Sequence, residues 1–192
     1  VVGLRNQKWL SLKEGNRSLN GLIQSWTRTK AKNFNQFRAA MELRSNGSTN
    51  TTYADADGNI AYWHGNFIPA RNPKYDWSRP VDGSNSATEW QGMHDLNDIV
   101  HAYNPKKGWI QNCNSSPFSM SAHNSVDRNK FPRYMAPDGE NFRSDFAIKE
   151  IEKENNYDLN KLIELGYNNY LSIFDSVLPP LIKAYDEQPV SS

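Results

Sequence analysis

Residues 51–64 read Thr-Thr-Tyr-Ala-Asp-Ala-Asp-Gly-Asn-Ile-Ala-Tyr-Trp-His. Thr51 to Asp55 and Asn59 to His64 are rich in β-branched and aromatic residues, and Asp57-Gly58 between them suits a tight reversal. The stretch predicts an antiparallel hairpin. The spacing Asp55-x-Asp57-Gly58-Asn59 also begins like a calcium loop. The bidentate acid that would complete such a loop is missing, so an ordinary turn is the simpler reading.

Upstream the period changes to helical. Asn33 suits a helix cap, and Phe34, Phe37, Ala40, Met41 and Leu43 supply a buried stripe. Ser45-Asn46-Gly47-Ser48 is expected to stop that helix. Before it, Ser18-Leu19-Asn20-Gly21 opens another helix, with Leu19, Leu22, Ile23 and Trp26 at helical spacing. Val1 to Leu12 reads as an edge strand. Downstream, Gly65 to Asp95 is a long Pro-, Gly- and Asn-rich loop, of the kind often kept for function. Asp95 to Tyr103 suits a short helix, and Trp109 to Asn114 a strand. Phe142 to Glu154 reads as a helix carrying Phe142, Phe146, Ile148 and Ile151. Asp158 caps another with Leu159, Leu162, Ile163 and Leu165. Asn169 to Tyr185 is mainly helical, with a break expected at Pro179-Pro180. The order is α+β, an antiparallel sheet flanked by helices. The chain is read as a single region, 1–192, with its sheet within 1–118 and a mainly helical part in 119–192.

Composition narrows the function classes. The 22 basic and 21 acidic residues leave a net charge of +1, with no basic run to attract a nucleic acid. No apolar run approaches the ~20 residues of a membrane helix. The single cysteine, Cys113, has no internal disulfide partner. An apolar content of 37% is low for a self-contained domain, yet 6 Trp, 9 Tyr and 8 Phe argue for a folded chain. Composition leaves open two possibilities: a loop-rich domain, or a segment whose apolar faces pack on other polypeptide.

The residues best placed for chemistry follow Gly108. On a regular strand, Asn112 and Asn114 would point to one side and Cys113 to the other. Cys113 then reads as a small buried hydrophobe. A carboxamide at a strand end can donate N–H to an oxyanion, which is worth roughly 3 kcal/mol in acyl transfer. Equally, both amides can satisfy loop backbone, as Asn commonly does. His94 and His101 are seven apart, too far for a helical metal pair, and read as solvated. No Ser-His-Asp order follows from spacing. Trp63, Phe67, Tyr75, Trp77 and Trp90 suit either an acyl pocket or the packing of a long loop.

Several blocks, in order, resemble the penicillin acylase family of N-terminal-nucleophile hydrolases. They are Asn33-Phe34-Asn35-Gln36-Phe37-Arg38, Tyr53-Ala54-Asp55-x-x-Gly58-Asn59-Ile60-x-Tyr62, Ile68-Pro69-Ala70-Arg71, Trp90-Gln91-Gly92, Gly108-Trp109-Ile110-Gln111-Asn112-Cys113-Asn114 with its following Ser and Pro, and Glu140-Asn141-Phe142-Arg143-Ser144. Gln111 to Asn114 is similar to the acyl-homoserine-lactone, aculeacin and cephalosporin acylase branch. The resemblance implies part of an αββα fold. It also implies a precursor cut so that a serine begins the large subunit, attacks an amide, and uses its own α-amine as base. It gives Asn114 the oxyanion role, keeps Asn112 as the alternate, and makes Arg143 the arginine that orients them.

The chain begins at Val1 rather than at that serine. It is therefore expected to be an internal piece of the large subunit, inactive alone. Its partners would be the rest of the large subunit and the small subunit, with a small acyl-amide as substrate. The resemblance implies a periplasmic or secreted enzyme. No cofactor is expected. A family calcium remains an outside alternative, with Pro69 and Asp127 at candidate positions. The competing reading is a non-catalytic module whose aromatic residues bind carbohydrate or peptide.

Overall fold

In the computed structural model, residues 2–15, 18–47 and 49–188 are described. The 51–64 hairpin forms as read. Strands β3 (Thr51–Ala54) and β4 (Ile60–Trp63) pair antiparallel, with Tyr53 opposite Ala61. The Asp55 carboxylate closes the turn, accepting from the backbone N–H of Asp57 and Asn59 and from the Asn59 amide. Gly58 sits at φ 84°, a conformation that favours a residue without Cβ.

β4 is the central strand. On its far side lies β5 (His101–Tyr103), with Ala61 opposite Tyr103. The short helix expected over Asp95 to Tyr103 does not form. Its polar residues make a turn, and its end is drawn into the ladder by the open edge of β4. Leu96, Ile99 and Val100 are buried beneath it. At the N-terminus, the expected edge strand is a hairpin of its own, β1 (Gly3–Arg5) with β2 (Lys8–Leu10); Val1 lies outside the described residues.

Helix α2 (Phe34–Met41) covers the three-stranded sheet. The Asn33 side chain accepts from Gln36 N–H, as a cap should. Phe34 and Phe37 lie against Tyr53 and Trp63, with ring centres 4.7–6.3 Å apart. Met41, Tyr62 and Trp63 have no exposed surface, and the Trp63 indole donates to Tyr103 OH. The helix ends at Met41, with Glu42 as its C-terminal cap and the chain turning left-handed at Arg44, ahead of Ser45, so Leu43 falls outside the buried stripe; Ser48 lies outside the described residues.

Helix α1 (Leu19–Arg28) is capped by Ser18 and docks on its polar side. Buried Gln24 donates to the Asn66 side chain and accepts from Ser45 N–H, while Asn66 donates to Met41 O. A Cβ on Gly21 would stand 3.0 Å from Ser45 O, so glycine permits this close approach. The apolar stripe is thereby turned outward, leaving Leu19, Leu22 and Trp26 about two-thirds exposed.

Three helices follow in the second half. They are α3 (Phe142–Ile151), which ends before Glu154, α4 (Leu159–Gly166), capped by Asp158, and α5 (Ile173–Asp186). α5 continues through Pro179 and Pro180 rather than breaking there. α3 is held by buried Ile148, whereas α4 and α5 bury no residue. Among the described residues, no helix is long and apolar enough to cross a membrane.

Candidate active site

Trp109 to Asn114 is not a strand. Its hydrogen bonds go to the returning loop instead: Gln111 N–H to Met120 O, Gln111 Nε2 to Ser119 O, and Ser121 Oγ to Trp109 O. At Asn114 the backbone turns into the left-handed region, φ 55°. Asn tolerates that conformation better than most residues. The reversal breaks the two-residue alternation, so Asn112 and Asn114 do not share one environment. Asn112 is half-buried and Asn114 is exposed.

Asn112 is tied at both ends of its amide. Oδ1 accepts from Asn50 Nδ2 at 3.4 Å, and Nδ2 donates to Tyr62 OH at 3.3 Å. Asn114 is tied at one end only. Its Oδ1 accepts from Arg143 Nη2 at 3.3 Å, and its Nδ2 donates to no protein group among the described residues. A guanidinium can only donate, so this contact settles the orientation of the amide: oxygen towards Arg143, N–H outward. The pair is thus arranged as a held carbonyl and a free donor. Asn114 stands on the exposed surface, so its amide opens to solvent.

The first turn of α3 builds this contact. Asn141 and Ser144 form a reciprocal capping box. The Asn141 Nδ2 also reaches across to the carbonyls of Cys113, at 3.2 Å, and Asn114, at 3.4 Å. Arg143 therefore leaves the same cap that grips the asparagine loop. A cation in the first turn opposes the helix dipole, so local helix energetics do not explain an arginine there. Asn141 was not read from sequence as a site residue. The signal was present, because an Asn-x-x-Ser box locates a helix start, but its second hydrogen-bond duty is long-range. Cys113 is half-buried, and burial pushes its thiol up despite the nearby Arg143 charge.

A second line of contacts runs behind the site. The buried Tyr62 hydroxyl lies 3.1 Å from His64 Nδ1, and His64 Nε2 lies 3.1 Å from Asp138 Oδ2. Burial pushes the His64 imidazole below its ordinary range, with the Asp138 charge and hydrogen bond opposing. A neutral ring bonded to a carboxylate through Nε2 carries its proton there, leaving Nδ1 to accept. Each donor then faces one way: Asn50 to Asn112, Asn112 to Tyr62, Tyr62 to His64, His64 to Asp138. Aligned chains of this kind stiffen one another.

The remaining candidates separate. His94 is not on a helix and meets Tyr134 OH at 2.9 Å; His101 is in β5, bonded to Ile99 O. Trp63 is core. Phe67 packs edge-on against Trp90, and Tyr75 against Trp77. Pro69 forms an isolated bridge with Met93, and Asp127 caps the short 3₁₀ turn at Arg128–Lys130. Among the described residues, no three His, Cys, Asp or Glu side chains gather as a metal cluster.

The model of the penicillin amidase family matches residues 5–191, nearly the whole chain. The chain belongs to the penicillin amidase family. Over 98 residues, half of this chain, it is 35% identical to penicillin G acylase of Escherichia coli, and that stretch is 11% of the relative. A thermostable penicillin G acylase from Alcaligenes faecalis superposes on 91% of this chain with a TM-score of 0.64 and 22% identity. The chain spans 30% of that structure. At that identity the likeness carries the fold alone: the chain has a mixed helix and antiparallel-sheet arrangement like that of the penicillin G acylase structure.

Proposed function

We propose that this chain is the part of an acylase that supports the transition state of amide cleavage, with the nucleophilic serine supplied by polypeptide outside it. Asn114 provides a side-chain N–H to the tetrahedral oxyanion. Arg143 holds the Asn114 carbonyl, so that the amide cannot turn its oxygen towards the developing negative charge. Asn112 braces the loop from behind through Tyr62. On this reading the chain alone would be inactive, because the attacking serine lies on other polypeptide.

The observation that carries this reading is the Arg143–Asn114 contact. It leaves a donor free and aimed outward, and it joins the two residues that the sequence resemblance had paired. Family membership supports an acyl-amide substrate. The branch assignment, towards lactone, lipopeptide or cephalosporin acylases, rests on Gln111 to Asn114 alone. The exposed stripes of α1, α4 and α5 support packing against further large-subunit and small-subunit polypeptide. Their Leu- and Ile-rich character favours this over a carbohydrate-binding module, which would need flat aromatic platforms. A periplasmic or secreted setting follows from the resemblance.

The test is the processed enzyme containing this chain. Asn114→Ala should lower kcat with little change in KM. An unchanged kcat would remove Asn114 from the mechanism.

A further inference from the structure

A hollow of about 700 Å³ opens on the loop side of the molecule, away from Asn114. Its lining includes Arg71, Lys74, Arg128 and Arg133, and one acid, Asp76. That acid is already engaged: Asp76 Oδ1 accepts from the Ser78 N–H and hydroxyl, and Oδ2 lies 3.7 Å from Arg79. Ser78 is the main cause of the depressed Asp76 carboxyl, with Arg79 and Arg133 adding to it. Among the described residues, none of the four lining cations forms an ion pair.

Arg71 is the fixed point. The antiparallel contacts of Ala70 with Gly92 and Gln91 hold the backbone beside it, and its own N–H donates to Tyr134 OH. The guanidinium carbon lies 5.4 Å from the Trp77 ring centre and 5.7 Å from that of Tyr134. Trp77 is itself anchored by its indole N–H on Asn72 O. Arg71 Nε is buried and has no hydrogen-bond partner. A guanidinium carried beside two rings keeps its terminal N–H donors in a fixed plane, ready for an acceptor in the hollow. Arg128 is likewise placed over Phe118, at 4.8 Å.

The geometry points to an anion-binding site here, which takes a small molecule carrying a carboxylate or phosphate group. The oxyanion would lie among Arg71, Lys74 and Arg133, and the volume of this open hollow falls within the range of small-ligand sites. Guanidinium forks match both groups with paired N–H donors. The site is independent of the acyl-transfer reading, because none of its residues touches Asn112, Asn114 or Arg143.

The experiment is calorimetric titration of the processed enzyme with citrate and with inorganic phosphate, at constant ionic strength. Saturable one-to-one binding of either anion is expected, and the tighter of the two tells which group the site prefers. The double substitution Lys74→Gln, Arg133→Gln lies on the rim, away from the amidase groups. It should weaken binding by about tenfold or more and leave amidase turnover unchanged. Two results would overturn the site: no saturable binding by about 10 mM of either anion, or affinity unchanged in the double variant. Binding of hexaglutamate without either small anion would overturn the small-molecule assignment.

Discussion

Arg143 donates to the side-chain oxygen of Asn114 across 3.3 Å, from a helix whose capping residue, Asn141, holds the carbonyl of that same Asn114. One helix start thus controls both the backbone and the amide of the proposed oxyanion donor.

Removing the donor should be costly, and removing its holder less so. In the processed enzyme, Asn114→Ala should reduce kcat about 100- to 1,000-fold, the range seen when one oxyanion donor is lost. Arg143→Gln should cost about tenfold, and the double variant little more than Asn114→Ala alone, because the two act as a unit. Steady-state kinetics of the three variants close the cycle; full additivity would separate the residues. Asn112→Ala should lower kcat far less than Asn114→Ala, since its donor is already committed to Tyr62.

The cap predicts a mixed phenotype. Asn141→Ala removes the acceptor for Arg143 and Ser144 N–H and the donor to Cys113 and Asn114. It should destabilise α3 by about 1 kcal/mol and lower kcat as well. Asn141→Ser restores the cap but cannot span to the loop. It should recover stability in urea denaturation without recovering kcat. Recovery of both would reduce Asn141 to a helix cap.

Acid should weaken the fold through His64. The folded protein holds this imidazole below its ordinary range, so between that depressed value and about pH 6.5 the unfolded chain binds a proton that the native state refuses. The stabilisation is complete above about pH 6.5 and is lost as pH falls through the folded value. Protonation also converts Nδ1 to a donor facing the Tyr62 hydroxyl, whose proton then has no acceptor in a fully buried position. Urea midpoints near pH 8 and near pH 5 should differ more for the wild type than for His64→Gln. Equal slopes for the two proteins would count against this role.

The outward stripe of α1 predicts behaviour that depends on context. The isolated chain should bind an apolar dye, and the assembled enzyme should not, if further polypeptide covers Leu22 and Trp26. Leu22→Ala should then destabilise the assembled enzyme by about 2–4 kcal/mol while changing the isolated chain by about 0.5 kcal/mol or less. Similar small effects in both would leave the stripe as free surface.

Much of the local structure was legible before the fold. The 51–64 hairpin, the Asn33 and Asp158 caps, the helix opening at Ser18 and the α+β order all follow from short-range rules: turn chemistry, side-chain-to-backbone capping, and the two periodicities. The candidate pair Asn114 and Arg143 came from ordered motifs, because the residues stand far apart in sequence and only a family pattern couples them. The Pro179-Pro180 break failed because α5 runs on through both prolines, a continuation that local rules disfavour.

The amino-acid order thus determined where helices and turns begin, since those choices are settled within a few residues by hydrogen bonds that need no distant partner. Tertiary structure decided three things it could not. It turned α1 onto Gln24 and Gly21, it drew His101–Tyr103 into the sheet, and it twisted the chain at Asn114 so that one amide was locked and the other freed. The reason is physical. A periodic pattern states that an apolar face or a polar donor exists, whereas the surface it meets is assembled from residues tens of positions away.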